Sequence, residues 1–332
     1  MFPSKYKALV VREENGKFVR QIEECSIQDL PPGEVLINVN YSSLNYKDAL
    51  SAIGNKGVTR KYPHTPGIDA AGVIASSSNK NFPEGEEVLV TGYDLGMNTP
   101  GGFGNYIWVP ADWVVKIPEG LSLKESMILG TAGFTAALSL YKLELNGLNK
   151  SGKEVLITGA TGGVGSLSVL IFSKAGYNVT ASTRKIDKSG YLKSLGANQI
   201  INSNDLIDQG GKALLQKKWD AGVDTVGGNI LTTVIKSLKY GGSAAACGLT
   251  LSNSIATTVY PFILRGVNLL GIASAETPMD LRLKLWEKLS VEWKPDNLNA
   301  ICTEISLKEL NEIIDLMLEG KITGRILVKH GI

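Results

Sequence analysis

Histidine and cysteine are scarce in this chain, with 2 and 3 copies among 332 residues. Zinc takes Cys, His and carboxylate ligands, and structural sites draw on paired Cys or His motifs. Cys25, Cys247 and Cys302 lie far apart with no C-x-x-C pair, which speaks against a closed zinc site or a disulfide framework and for a reducing cytoplasm. His64, in Tyr62-Pro63-His64-Thr65-Pro66-Gly67, reads as a loop or surface residue rather than a ligand, and His330 stands two residues from the C-terminus. Counting leaves Asp and Glu ligands open, but no metal is expected. Charge of one sign is also lacking: the net charge is +2, so bulk electrostatics point to neither nucleic acid nor an acidic membrane. No apolar run approaches the ~18–20 residues of a membrane span. The first residues show no apolar signal core or cleavage site. Internal repeats and low-complexity tracts are missing too. The expectation is a soluble cytoplasmic protein.

The length suits about two domains, and a 43% hydrophobic content can fill their cores. Residues 1–125 read as β-rich, with strand-like runs at Lys7–Arg12, Glu34–Tyr41, Asp69–Ala75, Glu87–Thr91, Asn105–Val109 and Val114–Ile117. Pro31-Pro32-Gly33, Pro83-Glu84-Gly85 and Pro118-Glu119-Gly120 separate them as turns. From Ser126 onward helices and strands alternate, including a helix near Leu206–Gln216 and strands at Gly222–Val226 and Ser243–Cys247. That alternation predicts right-handed βαβ units and a parallel sheet covered on both faces. Met279–Val291 and Ser306–Leu318 read as helices. The final strand, Arg325–Val328, is expected to return to the first domain, making it discontinuous and leaving a cleft between the two.

One stretch organises the rest. Val155–Thr158 is a short apolar strand, and Ala160-x-Gly162-x-x-Gly165 follows it and opens a helix. This is the dinucleotide fingerprint with Ala at its first glycine. The small residues allow a tight turn, close approach of backbone to a pyrophosphate, and helix–strand packing. Gly162, Gly163, Val164 and Gly165 are therefore cofactor candidates, with the helix N-terminus facing the pyrophosphate. Some twenty residues on, a domain built for NAD usually offers an acid to the ribose. Here the strand ends Ser182-Thr183-Arg184-Lys185, two hydroxyls and two cations that suit a 2′-phosphate. Asp187 complicates the choice, but NADPH is favoured over NADH. Without zinc the usual Lewis acid for activating an alcohol is missing. Reduction of an activated carbon–carbon double bond fits better, because hydride addition leaves a delocalised enolate.

Five blocks occur in order: Asn45-Tyr46-Lys47-Asp48, Pro66-Gly67-Ile68-Asp69-Ala70-Ala71-Gly72, Gly130-Thr131-Ala132-Gly133-Phe134-Thr135-Ala136, the glycine turn to Gly165, and Pro261-Phe262-Ile263-Leu264-Arg265. Together they resemble the zinc-independent quinone oxidoreductase side of the medium-chain dehydrogenase/reductase superfamily, and within it the acryloyl-CoA reductase type. The resemblance runs from Lys7 to Lys329. It implies an α/β chain with a GroES-like β-rich catalytic domain at 1–125 and 298–332, a Rossmann doubly wound domain at 126–297, NADPH, and a homodimer. Zinc-using members carry Cys near Asn45 and a His-Glu pair at Ile68-Asp69; both are replaced here.

In the similar family the tyrosine matching Tyr46 faces the nicotinamide. A tyrosine near its reference pKa of ~10 is a reluctant acid but a good donor to an oxyanion, so stabilising the enolate is its expected role; packing over a loop is the alternative. Asn45 and Asp48 hold this loop or link into a proton relay. Asp69, set between Ile68 and two alanines, should be paired or functional, since burying it unpaired is costly. Thr131 is expected near the carboxamide of the cofactor. Loops at the carboxyl ends of the later strands bring in Cys247-Gly248-Leu249 and Gly271-Ile272-Ala273-Ser274. By the family pattern Ile263, Gln199 and Arg325 join the cofactor site, with an exposed strand-end cation as the other reading of Arg325. Lys56, Arg60 and Lys61 either meet the phosphates of a CoA thioester or form a solvated loop, the second being preferred. Val267–Ile272 is a candidate edge strand, and an apolar edge invites pairing with a second copy.

The expected function is NADPH-dependent reduction of the double bond of α,β-unsaturated carbonyl compounds, acryloyl-CoA-like thioesters first. An NADPH:quinone or general enone reductase is the alternative on the same site, and a non-enzymatic NADPH-sensing protein is the alternative from another class.

Overall fold

The computed structural model describes residues 2–149 and 152–331. The chain runs β1 (Lys5–Glu14), β2 (Lys17–Ser26), β3 (Val35–Leu44), α1 (Tyr46–Ala52), β4 (Asp69–Ser77), β5 (Glu87–Thr91), β6 (Tyr106–Val109), β7 (Val115–Lys116) and α2 (Leu123–Leu145). It continues through β8 (Glu154–Ile157), α3 (Gly163–Lys174), β9 (Asn178–Thr183), α4 (Ser189–Ser194), β10 (Gln199–Asn202), β11 (Trp219–Asp224), α5 (Gly228–Ser237), β12 (Leu238–Ala246), α6 (Tyr260–Arg265) and β13 (Asn268–Gly271). The last elements are α7 (Met279–Ser290), β14 (Cys302–Ser306), α8 (Leu310–Leu318) and β15 (Arg325–Lys329).

Two units emerge, one of Met1–Thr131, Ala275–Ser290 and Asn297–Ile332, the other of Ala132–Ser274 and Val291–Asp296. The sequence boundary at 297 put α7 with the nucleotide domain, whereas the structure places it in the first unit. There Arg282 donates to the Thr91 carbonyl (2.8 Å) and to the Ala275 carbonyl (2.9 Å), and its guanidinium lies over the Tyr93 ring at 4.4 Å.

The first unit is a seven-stranded sheet in the order β14-β15-β3-β4-β5-β7, with β6 also on β3, and a separate β1-β2 hairpin. Its interior is aliphatic: Val35, Ile37, Val88 and Ile107 fill one side, and Leu9, Leu44, Ile326 and Val328 pack with α8 on another. The last strand does return, pairing antiparallel with β3 through Ile326 opposite Leu44. β2 is a difference from expectation. Its Lys, Arg, Gln and Glu content hides it, yet Asn15 (φ 51°) and Gly16 (φ 75°) form the left-handed two-residue turn that a tight hairpin requires.

The second unit carries six parallel strands in the order β10-β9-β8-β11-β12-β13. The chain winds outward from β8 to β10, then returns beside β8 with β11, so the direction of winding reverses between β8 and β11. In such a sheet, ligands bind outside the carboxyl ends of the strands at that reversal. The helix expected near Leu206–Gln216 is absent: only Ser203–Leu206 forms a short 3-10 turn. Gly210-Gly211 disfavours a helix there. Instead Asp208 pairs with Lys236 (3.0 Å), and the Leu215 carbonyl accepts from Arg265 (2.6 Å). No helix among the described residues is long and apolar enough to cross a membrane.

Candidate functional site

In the second unit the turn after β8 is built by small residues. Gly159 takes a left-handed φ of 58°. A Cβ at Gly165 would lie 2.2 Å from the Gly159 carbonyl oxygen, so only glycine lets α3 begin this close to the turn. Gly162 precedes the 12-residue helix α3 and offers no side chain to cap it. The first-turn amides of Gly163, Val164 and Gly165 are thereby left for an anion, with the positive end of the helix dipole behind them. The turn is tied to β9, because Ala160 N–H donates to the Ser182 carbonyl (3.0 Å) and the Thr161 and Thr183 hydroxyls lie 3.2 Å apart.

The end of β9 carries the specificity candidates. Ser182 and Thr183 are buried, Arg184 is exposed and Lys185 is half-buried. The Lys185 backbone N–H donates to Thr183 Oγ1 (3.0 Å), and partial burial draws the Lys185 pKa below its ordinary value. An ammonium that is partly desolvated gains more from a phosphate than a fully hydrated one. Asp187, the complicating acid, is exposed and lies 3.6 Å from Lys188. These residues fit a dinucleotide with a 2′-phosphate.

Ser274 follows β13 and its hydroxyl accepts from Thr135 (2.9 Å), while Leu249 and Ile263 are exposed. Gln199 does not join this edge. It opens β10 opposite Thr180, three residues before the carboxyl end where Asn202 meets Thr183. At about 3.3 Å per residue that is roughly 10 Å short.

In the first unit Tyr46 is the first residue of α1 rather than part of a loop, and it is 41% exposed. Asn45 caps that helix, and Asp48, at the third helical position, accepts from Asn45 N–H (2.8 Å) and Ile68 N–H (2.8 Å). Asp48 is fully buried. Burial first, and then the charge of Asp69, push its carboxyl up to about 7, against the pull of the two N–H donors.

Asp69 is the hub. Its Oδ2 accepts from Ser43 Oγ (2.6 Å), Asn45 Nδ2 (2.7 Å) and Thr131 N–H (3.0 Å), and Thr131 Oγ1 donates to Oδ1 (2.5 Å). A buried carboxylate survives because four donors surround it. Arg325 Nη2 stands 3.9 Å away. Arg325 is buried, unlike the exposed cation that its strand-end position allowed. It donates to the Ile128 carbonyl (2.9 Å) and Asn45 Oδ1 (3.2 Å), so its guanidinium positions Asn45. Room for this cluster comes from Gly130, where a Cβ would sit 2.5 Å from Asp69 Oδ2, and whose φ of 50° and ψ of −156° break α2.

The remaining candidates separate. His64 is buried, not at the surface, with Nε2 2.9 Å from the Gly96 carbonyl oxygen. Lys56 pairs with Glu13 (2.8 Å) and lies over the Phe18 and Tyr62 rings, while Arg60 and Lys61 are exposed. Among the described residues there is no group of three or more His, Cys, Asp or Glu side chains able to hold a metal ion. Ser43 carries no local pattern in the sequence, and Gly130 stands in the Gly130-Thr131-Ala132-Gly133 motif, which does not reveal that it makes room for Asp69.

Residues 31–119 match the model of the alcohol dehydrogenase GroES-like domain, and residues 163–290 that of zinc-binding dehydrogenases. Acrylyl-CoA reductase AcuI of Ruegeria pomeroyi is 42% identical over 325 residues, covering 97% of this chain and 98% of that one. The crystal structure of Bacillus subtilis protein yhfP with NAD bound superposes with a TM-score of 0.96 at 45% identity, covering 98% and 100% of the two chains. That of Escherichia coli K-12 YhdH with bound NADPH gives 0.94 at 39% identity, covering 97% and 99%. A GroES-like domain joined to a Rossmann domain, with identity at this level along the whole length, identifies the chain as a member of the quinone oxidoreductase and acrylyl-CoA reductase branch of the medium-chain dehydrogenase/reductase superfamily.

Proposed function

We propose that the chain is an NADPH-dependent oxidoreductase that reduces the carbon–carbon double bond of α,β-unsaturated carbonyl compounds, with acrylyl-CoA-like thioesters as favoured substrates. The observation that carries this reading is the uncapped N-terminus of α3 beside a β9 end that presents Thr183, Arg184 and Lys185. The 42% identity to an acrylyl-CoA reductase supports the substrate class. One similar structure holds NAD and another NADPH. The two cations after Thr183 favour the 2′-phosphate here.

Gly162–Gly165 would hold the pyrophosphate, and Ser182–Lys185 the adenosine ribose with its phosphate. NADPH, when bound, supplies the hydride that the β-carbon of the acceptor accepts. The chain contributes orientation and electrostatics. Tyr46 donates its hydroxyl hydrogen bond to the acceptor oxygen, on which charge grows as the enolate forms. Asn45 and Asp48 fix the start of α1 and hence the direction of Tyr46, while Asp69, Thr131 and Arg325 hold Asn45 in place. The enolate then takes a proton at the α-carbon.

The chain acts in the cytoplasm as a homodimer. Among the described residues β13 pairs only with β12, leaving its other edge open beside Leu269, which is 38% exposed. A two-fold pairing of β13 with its copy would close that edge. Following NADPH oxidation with acrylyl-CoA, crotonyl-CoA, a simple enone and a benzoquinone tests the substrate reading. A kcat/KM highest for acrylyl-CoA supports it. Preference for the quinone would replace it with the quinone reductase reading, and tight NADPH binding without turnover would leave a sensor.

A further inference from the structure

Asp224 closes β11 with its side chain fully buried, and among the described residues no cation pairs with it. Its Oδ1 accepts from Thr158 Oγ1 (2.7 Å), and its Oδ2 from Gly227 N–H (2.6 Å) and Val226 N–H (3.2 Å). Thr158 is the residue that leaves β8 for the dinucleotide turn. The same Thr158 hydroxyl accepts from Thr225 N–H (3.1 Å), and Thr225 Oγ1 donates back to the Thr158 carbonyl (2.9 Å). These bonds cross from β8 to β11, the pair between which the winding of the sheet reverses.

Three chain turns meet here with almost no side chain between them. A Cβ on Gly159 would lie 2.3 Å from Thr225 Oγ1, one on Gly248 1.9 Å from the Thr225 carbonyl oxygen, and one on Gly227 2.3 Å from the Ser252 carbonyl oxygen. Cys247 N–H donates to the Asp224 carbonyl (2.9 Å). The turns after β8, β11 and β12 are thus one packed body, and the Asp224 carboxylate is the acceptor at its centre.

We infer that Asp224 is a positioning residue for the cofactor: through Thr158 it sets the dinucleotide turn in register with the loops after β11 and β12, so that losing either partner weakens NADPH binding. This rests on the NADPH reading above. Desolvation raises the Asp224 pKa, and its three N–H and O–H donors oppose that, as expected of a carboxylate kept for its acceptor geometry.

The test is NADPH titration by nucleotide fluorescence on wild type, Asp224→Asn, Thr158→Val, Thr158→Ser and the Asp224→Asn/Thr158→Val double variant. Thermal midpoints and kcat at saturating NADPH are recorded alongside. Losing a hydrogen bond to a charged group is expected to raise Kd roughly tenfold in each of the two single variants, about 1.4 kcal/mol. The double variant should lose clearly less than the product of the two single losses, because the Thr158–Asp224 bond is common to both changes. Thr158→Ser, which keeps the hydroxyl, should come back within about twofold of wild type, and kcat should move far less than KM for NADPH. An unchanged Kd in Asp224→Asn, or losses that multiply to roughly a hundredfold in the double variant, overturns the inference. Should Asp224→Asn fail to fold, Thr158→Val, nearly isosteric, decides alone: an unchanged Kd overturns the inference. A wild-type chain that does not bind NADPH would instead overturn the cofactor reading itself.

Discussion

Asp48 titrates where most carboxylates have long been ionised, and the consequence is measurable. Its carboxyl is fully buried; two backbone N–H donors, one on each oxygen, and the Asn45 side chain favour the charged form, but burial and the neighbouring charge of Asp69 outweigh them. Raising its pKa from 3.8 to about 7 corresponds to ~4 kcal/mol of preference for the neutral form in the folded chain. The unfolded chain gives up this proton near its ordinary value. Between pH 4 and 7 the folded state therefore binds more protons than the unfolded state, and this contribution to stability falls as pH rises through that window. Asp48→Asn has no such titration. Urea unfolding of both proteins from pH 4 to 8 should show the difference moving in the variant's favour by ~1.4 kcal/mol per pH unit up to about pH 7, then levelling. Carbon-13 NMR of the Asp carboxyls, assigned with the same variant, should place one midpoint near 7. A difference that stays constant over the whole range, or a midpoint near 4, refutes the reasoning.

His330 acts in the opposite direction: burial pushes its pKa down to about 4 from 6.5, and its Nδ1 lies 3.1 Å from Asn105 Nδ2. Its share of stability is complete above pH 6.5 and lost as pH falls toward 4, so His330→Gln should gain ~3 kcal/mol relative to wild type over that interval in urea unfolding. Arg184→Ala/Lys185→Ala should raise the Kd for NADPH by at least tenfold while NADH changes less than about threefold, read by fluorescence titration; equal losses remove the 2′-phosphate assignment. Sedimentation velocity at micromolar concentration should give a dimer, and Leu269→Lys, on the open edge of β13, should shift it toward monomer.

The two-unit plan was readable because hydrophobic period and glycine placement agree over long stretches. The strand–turn–helix at Val155–Phe172 and the returning Arg325–Val328 strand are of this kind. Asp69 was also readable, since a carboxylate between Ile68 and two alanines must find donors. Asp224 stands in the same setting, between Val223 and the Thr225-Val226-Gly227-Gly228 turn, and the argument applied to Asp69 would have found it. What escaped was set by tertiary contacts. The β2 strand looks polar because it lies at the sheet surface, and Leu206–Gln216 looks helical although ties from Arg265 and Lys236 hold residues 207–216 as a loop. Arg325 was open between a cofactor contact and an exposed cation because nothing local reveals that Asn45, some 280 residues earlier in sequence, accepts its hydrogen bond.

The destination of the hydride is the most direct measure of the central claim. NADPH deuterated at the transferred position is incubated with acrylyl-CoA and the enzyme in ordinary water, and the propionyl-CoA formed is examined by NMR and mass spectrometry. The account requires one deuterium at the β-carbon and a solvent proton at the α-carbon. Recovery of unreacted acrylyl-CoA while a quinone is readily reduced, or deuterium at the α-carbon, would contradict it.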